Sequence, residues 1–198
     1  MMKLPSLIFV VICLVVSCAC FADNTVNIEQ IGDNNSISVD QRDSNGHSAT
    51  VSLGKTSNVD YTTLSILQQG TGIKTASVEI KSGINNGINI SQDGAGAHTA
   101  AIQNLIGSSN SINITQQGAG NHSFTISNNN SSTNNGNTIN ATQSGGTGAD
   151  KTFNLYLNGA TGAGVTVLQT NPSTADQGGM NIQCNTCGNG WKIGRAHV

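Results

Sequence analysis

INISQDGAGAHTAAI (residues 88–102) and INITQQGAGNHSFTI (residues 112–126) are nearly one phrase written twice, 24 residues apart. Nine of the fifteen positions are identical, among them the opening Ile-Asn-Ile, the Gln, the Gly-Ala-Gly and the His. Apolar residues step by two toward each Gln: Ile88 and Ile90 before Gln92, Ile112 and Ile114 before Gln116. A step of two is the period of a strand, not the 3.6 of a helix. Gly94 and Gly118 open a turn after the Gln, where positive φ is tolerated. His98 or His122 follows six residues after the Gln, and a second arm of period two closes the phrase at Ile102 or Ile126.

The same frame recurs. Ile37 and Val39 precede Gln41, with His47 six residues later; Leu64 and Ile66 precede Gln68, with Gly70 and then Lys74. Ile139 and Ala141 precede Gln143, with Gly145 after it, but the second arm through Phe153 arrives two residues late. Val165 and Val167 precede Gln169, with a weaker second arm. An extra arm, Val26, Ile28, Gln30 and Gly32, stands ahead of them all. From Gln41 to Gln169 the anchors are spaced 27, 24, 24, 27 and 26 residues, and Asn-, Ser- and Gly-rich loops absorb the differences.

Such a period predicts an all-β chain: a β-solenoid of about six stacked strand–turn–strand units. Arms of about five residues cannot bury an apolar face alone; stacking unit on unit does so. Ile37, Val39, Ile88, Ile90, Ile112, Ile114, Ile139, Val165 and Val167 are the expected core. The glutamines share their parity, which places them on the same inward face. An isolated buried amide costs on the order of a few kcal/mol. In a stack with strands about 4.8 Å apart, each Gln can instead bond the one above and the one below. The expected ladder is Gln30, Gln41, Gln68, Gln92, Gln116, Gln143 and Gln169, with turn glycines Gly32, Gly70, Gly94, Gly118 and Gly145. The other reading of the same parity sets the glutamines at strand ends, wetted.

Composition fits this. Only 9% of residues are charged and 4% aromatic, and there are 24 glycines. An ordinary globular domain is about a quarter charged. The polar residues here are largely Asn, Gln, Ser and Thr, which hydrogen-bond in ladders without a charge.

Both termini read differently from the body. Residues 1–22 carry one Lys, an apolar run and small residues, the pattern of a secretory signal peptide. Cleavage after Ala22 is expected, with Cys18 in a lipobox-like context as the rival. Residues 23–183 form the expected repeat region, and residues 184–192 a short C-terminal segment. Residues 193–198, IGRAHV, match one reading frame of a common sequencing adapter and are expected to be an artefact. Without both ends, six Lys and Arg face ten Asp and Glu, a net charge of −4. No basic stripe remains, which argues against nucleic acid as partner.

Residues 24–41, NTVNIEQIGDNNSISVDQ, resemble the repeat of the curlins, the subunits of bacterial curli fibres, written S-x5-Q-x-G-x2-N-x-A-x3-Q. Gln30, Gly32, Asn35 and Gln41 fall on its places, Asn24 stands for its Ser and Ile37 for its Ala. In later units Gly-x-Gly-x-His is read in place of Gly-x-x-Asn, and the closing Gln is mostly lost. The resemblance implies an exported functional amyloid, a homopolymer at the surface of a Gram-negative cell. It also implies a nucleating or major subunit of the same family and an outer-membrane secretion pore as partners. Uncapped, weakly charged edges with one proline after the leader point the same way.

No GxSxG, HExxH or phosphate-binding loop is present, so no enzyme activity and no cofactor are expected. Asp33, Asp40, Asp43, Asp93 and Asp150 read as solvated turn carboxylates. His47, Lys74, His98 and His122 share one place in the frame. Stacked, they would form a basic column at a turn, and protonation near pH 6 would oppose assembly; the plainer reading is a set of polar turn residues. Cys184 and Cys187 form a lone CxxC, read as a local disulfide, with metal binding as the alternative. The rival functions are a monomeric solenoid, either adhesin or ice-binding, and a carbohydrate-active β-helix enzyme.

Overall fold

The computed structural model describes residues 23–44, 46–54, 58–104, 106–127, 134–171 and 178–185. Among them are fifteen strands and no helix. In chain order these are β1 (Thr25–Ile28), β2 (Ser36–Gln41), β3 (Ser48–Val51), β4 (Val59–Asp60), β5 (Thr63–Gln68), β6 (Lys74–Glu79), β7 (Gly83–Ile84) and β8 (Gly87–Asp93). Then follow β9 (His98–Asn104), β10 (Ser111–Gly118), β11 (His122–Ile126), β12 (Thr138–Gly145), β13 (Lys151–Asn158), β14 (Gly164–Asn171) and β15 (Gly178–Asn185).

The strands form a β-solenoid. One sheet has seven strands in the order β1-β3-β6-β9-β11-β13-β15, and the facing sheet six, β2-β5-β8-β10-β12-β14. Every pairing is parallel and links one unit to the next. The chain thus alternates between sheets, six strand–corner–strand units following the lone first arm. The repeated phrases lie on each other residue for residue: Ile88 on Ile112, Ile90 on Ile114, Gln92 on Gln116.

The core lies between the two sheets. Ile88, Ile90, Ile112, Ile114, Ile139, Val165 and Val167 are buried, while Ile37 and Val39, near the N-terminal end, are half-buried. Period-two alternation runs through β10, where Ile112, Ile114 and Gln116 are buried, Ser111, Asn113 and Gln117 exposed and Thr115 half-buried. Side chains of one strand alternate between faces, so this parity follows from the sequence directly. Phe124 and Phe153, the large aromatics of the core, stack on each other with ring centroids 4.9 Å apart.

Two kinds of corner join the sheets. β5, β8, β10 and β12 lead into the Gly turn of the repeat, at Gly70, Gly94, Gly118 and Gly145. At Gly94 φ is +109°, and a Cβ there would lie 2.4 Å from the Gly118 carbonyl oxygen. Successive corners are therefore in backbone contact, which only glycine allows. The other corner, on the way back from the seven-stranded sheet, is Asn-rich where it is described, and there β4 and β7 form a short third sheet. Gly32 belongs to this second corner, not to the one shared by Gly70, Gly94, Gly118 and Gly145. The last strand, β15, runs past Gln183, the expected end of the repeats, through Cys184 to Asn185.

Candidate functional site

The glutamines make a continuous ladder through the interior. Each Nε2 donates to the Oε1 of the next: Gln41 to Gln68 at 2.7 Å, Gln68 to Gln92 and Gln92 to Gln116 at 2.9 Å. Gln116 donates to Gln143 at 2.8 Å, and Gln143 to Gln169 at 2.9 Å. The second hydrogen of each amide crosses the core to a carbonyl of the other sheet, as from Gln92 to Thr75 and from Gln116 to Thr99. From Gln68 to Gln169 these side chains are at most 2% exposed. Every amide points the same way along the axis. Gln30 stands apart: its Nε2 donates to the Gly32 carbonyl, and it follows β1, in the seven-stranded sheet. Its spacing to Gly32 imitates the ladder glutamines, but it lies in the wrong sheet to join them.

The basic residues form a second column, and it is inside. His47, Lys74, His98 and His122 are each at most 1% exposed, at the start of successive arms of the seven-stranded sheet. Lys151 continues the column; the late arm of its unit hid it from the spacing. The Lys74 ammonium donates to the carbonyls of Gly72, Gly94 and Gly96 at 2.7–2.8 Å. His47 Nδ1 accepts the Lys74 backbone N–H, and His122 Nδ1 accepts that of Lys151. Their Nε2 atoms must then carry the proton, which they donate to the carbonyls of Arg42 and Gln117. Neutral imidazole is the form this geometry fits. His98 and His122 stack with rings 3° from parallel.

Burial is the main force on their titration. It pushes the imidazole of His98 down to about 4, with the charges of Lys74 and His122 adding to it and the bond to the Asp93 carbonyl opposing it. His47, His122 and Lys74 also move down, burial again the first cause. Burial therefore works against the expected charging of the column near pH 6: His98 stays neutral down to about pH 4, and His47 and His122 shift in the same direction.

A third column was missed in the sequence. At the Asn-rich corner, Asn86, Asn110 and Asn137 are at most 2% exposed. Asn110 Nδ2 donates to Asn86 Oδ1 at 3.1 Å, and Asn137 Nδ2 to Asn110 Oδ1 at 3.0 Å. The same oxygens accept backbone N–H groups of the next rung, Asn110 N–H to Asn86 and Asn137 N–H to Asn110. The signal was Gly-x-x-Asn itself. Gly32 to Asn35, Gly83 to Asn86 and Gly107 to Asn110 all keep it. Gly-x-Gly-x-His therefore does not replace Gly-x-x-Asn; each corner has its own motif.

The carboxylates serve corners. Asp60 accepts the Asp33 N–H and Asp150 the Asn121 N–H. Among the described residues no three His, Cys, Asp or Glu come together as metal ligands. Cys184 occupies a place in β15 opposite Leu157, and Cys187 lies outside the described residues, as does the expected pairing between them.

Val26 is 46% and Ile28 39% exposed; among the described residues the six-stranded sheet has no strand below β2 to cover β1. Gln41 Oε1, the first acceptor of the ladder, receives no donor among the described residues.

A family model, the curlin associated repeat, matches residues 22–52, the stretch that holds β1, its Gly-x-x-Asn corner, β2 and β3. This supports the resemblance to curlins and points to a curli-associated protein. Repeat and fold are of a structural rather than an enzymatic kind. No curated protein and no solved structure matches the chain.

Proposed function

We propose that this chain is a secreted structural subunit that self-assembles into extracellular fibres of the curli type, in a biofilm matrix or in surface adhesion. The observation that carries the reading is the N-terminal end, where exposed apolar residues of β1 stand beside a ladder acceptor that receives no donor among the described residues. Such an edge is a template for another strand. On this reading the partners are further copies, a nucleating or major subunit of the same kind, and an outer-membrane pore. The compartment is the surface of a Gram-negative cell, reached with the help of the N-terminal leader.

The test is dilution of the chain from Asp23 onward out of denaturant, followed by thioflavin fluorescence and fibre diffraction. Seeded growth of fibres with a reflection near 4.7–4.8 Å is expected. A folded β monomer that stays monomeric for days would sink the proposal.

One observation favours the flat-face alternative. The register brings Thr25, Ser48, Thr75, Thr99, Ser123 and Thr152 into a single outward column of hydroxyls. The neighbouring column mixes Asn27, Thr50, Ser77, Ala101, Thr125 and Asn154, so the face as a whole is irregular. Thermal hysteresis by the monomer would support an ice-binding role; its absence would leave the fibre reading alone.

A further inference from the structure

The two sheets hold unequal numbers of strands, seven and six. Plain head-to-tail stacking would set β1 of one copy on β15 of the copy before it. The chain then reaches the six-stranded sheet only at β2, one place too late. Each junction would keep a vacant strand position between β14 and the next β2, directly over the exposed Val26 and Ile28. A parallel stack with that gap leaves the Gln41 acceptor unmet and both strand edges unpaired.

The geometry points to a strand-exchange junction: β1 of an incoming copy takes the place of β15 on β13 of the copy before it. From Thr25 to Asn27 the pairings in the seven-stranded sheet keep one register, β6 and β9 shifting only after Ser77, which places Thr25 and Gly179 at equivalent positions. In β15's place, β1 sets Val26 beside Phe153, Asn27 beside Asn154 and Ile28 beside Leu155. The six-stranded sheet then closes without a gap. β2 falls on β14 with Ile37 over Val165, Val39 over Val167 and Gln41 over Gln169, continuing the ladder in its existing direction. Both pairings repeat the parallel, in-register stacking already made inside the molecule.

β15 is suited to leave. It begins Gly178-Gly179, so it brings no side chain to the basic column, where every earlier arm after β1 has His or Lys. Its Met180 is only half-buried. At the equivalent place before β1, Asn24 Oδ1 accepts the His47 N–H at 2.9 Å, so the incoming strand brings a polar group that fits the column. Exchange of one element between identical chains is a low-cost route to assembly, because the strand pairing that forms is of the same kind as the one that breaks.

This inference rests on the fibre reading and adds the identity of the joining strand. The test uses the chain from Asp23 onward with Cys184→Ser and Cys187→Ser. One population carries Asn27→Cys. It is mixed in one vessel with Asn154→Cys chains and in another with Asn181→Cys chains, and fibres are grown, oxidised and run on a non-reducing gel. Strand exchange predicts dimers in the first mixture at least tenfold above the second, since parallel neighbours in register lie within disulfide reach. Dimers in the second mixture, or in neither, overturn it.

A second variant locks β15 to β13 through Asn154→Cys with Asn181→Cys, outward neighbours in register. Oxidised, it should elongate at least tenfold more slowly than when reduced. A control lock, Thr50→Cys with Ser77→Cys between β3 and β6, should elongate at the unlocked rate. Equal growth of the oxidised and reduced β15 lock would refute the exchange while leaving the fibre reading intact. Absence of fibres from the reduced, unlocked chain would instead refute that reading.

Discussion

Replacing Gln116 by Leu separates a ladder from a row of independent amides. Leu has a similar reach and suits the surrounding Ile112, Ile114 and Phe124. What it removes is hydrogen bonding. Gln92 Nε2 loses its acceptor at 2.9 Å, and Gln143 Oε1 loses its donor at 2.8 Å. Both neighbours remain fully buried. A buried polar atom left without its partner costs about 1–3 kcal/mol. Two such atoms give about 2–6 kcal/mol, from which Leu recovers about 1 kcal/mol through apolar burial. The net expectation is a loss of about 1–5 kcal/mol. Gln41→Leu, at the first rung, orphans one ladder atom, Gln68 Oε1, and should cost about half as much. Gln92→Leu and Gln116→Leu together orphan no more ladder atoms than either alone, because the broken run still has two ends. The double variant should therefore be less damaging than the sum of the singles, by about 2–6 kcal/mol. Urea unfolding of the unassembled chain measures all four. Additive losses, or a Gln116→Leu cost no greater than that of Gln41→Leu, would refute the cooperative ladder.

Stability should also fall in acid. Below pH 6.5 the unfolded chain takes up protons that buried His98 refuses until about pH 4. Stability is therefore full above pH 6.5 and declines as the pH drops toward 4, by about 3 kcal/mol from this residue alone; His98→Gln should flatten the urea midpoint over that range, and an unchanged slope would contradict it. Gly94→Ala forces a side chain at φ +109° to within 2.4 Å of the Gly118 carbonyl, whereas Gly87→Ala meets open space. The first should cost more than about 2 kcal/mol and the second less than about 1 kcal/mol, read from thermal melts. Asn110→Ala breaks the corner column at both ends and should cost about 2–4 kcal/mol. Asn113→Ala removes only an exposed 3.2 Å bond to Asn140 and should stay within about 0.5 kcal/mol.

The arms were legible because strand parity is local: Ile88, Ile90 and Gln92 declare one face by spacing alone. The inward ladder was legible because a Gln at that parity, repeated every 24–27 residues, has another Gln as its nearest partner. The corners were not. Gly107-Ser-Ser-Asn110 looks like a solvated loop, and only stacking turns its Asn into a buried residue. Gln30 was misplaced for the converse reason: its local spacing is right, but it sits in the opposite sheet. Spacing alone reads the histidines as turn residues, because six residues after a Gln marks a corner in the chain. In space it marks the first inward position of the next arm. Lys151 slipped from view because two extra residues between Gln143 and its second arm moved it out of frame.

The near-identity of the units at 88–102 and 112–126 leaves the chain a problem of address. A chain sliding past itself by one whole unit would lay Ile on Ile and Gln on Gln almost as well as before, so a misfolded stack one rung out of step is nearly degenerate with the right one. The stacked Phe124 and Phe153 break that degeneracy. The rung below Phe124 offers Ala100 at the same place, and the one below that Ala76. Two adjacent levels of the core are thus wide and the levels below them narrow. A slip would drive an aromatic ring into space shaped for a methyl group, and leave a hole where the ring belonged. Two residues that do nothing for the repeat tell each copy which floor it is on.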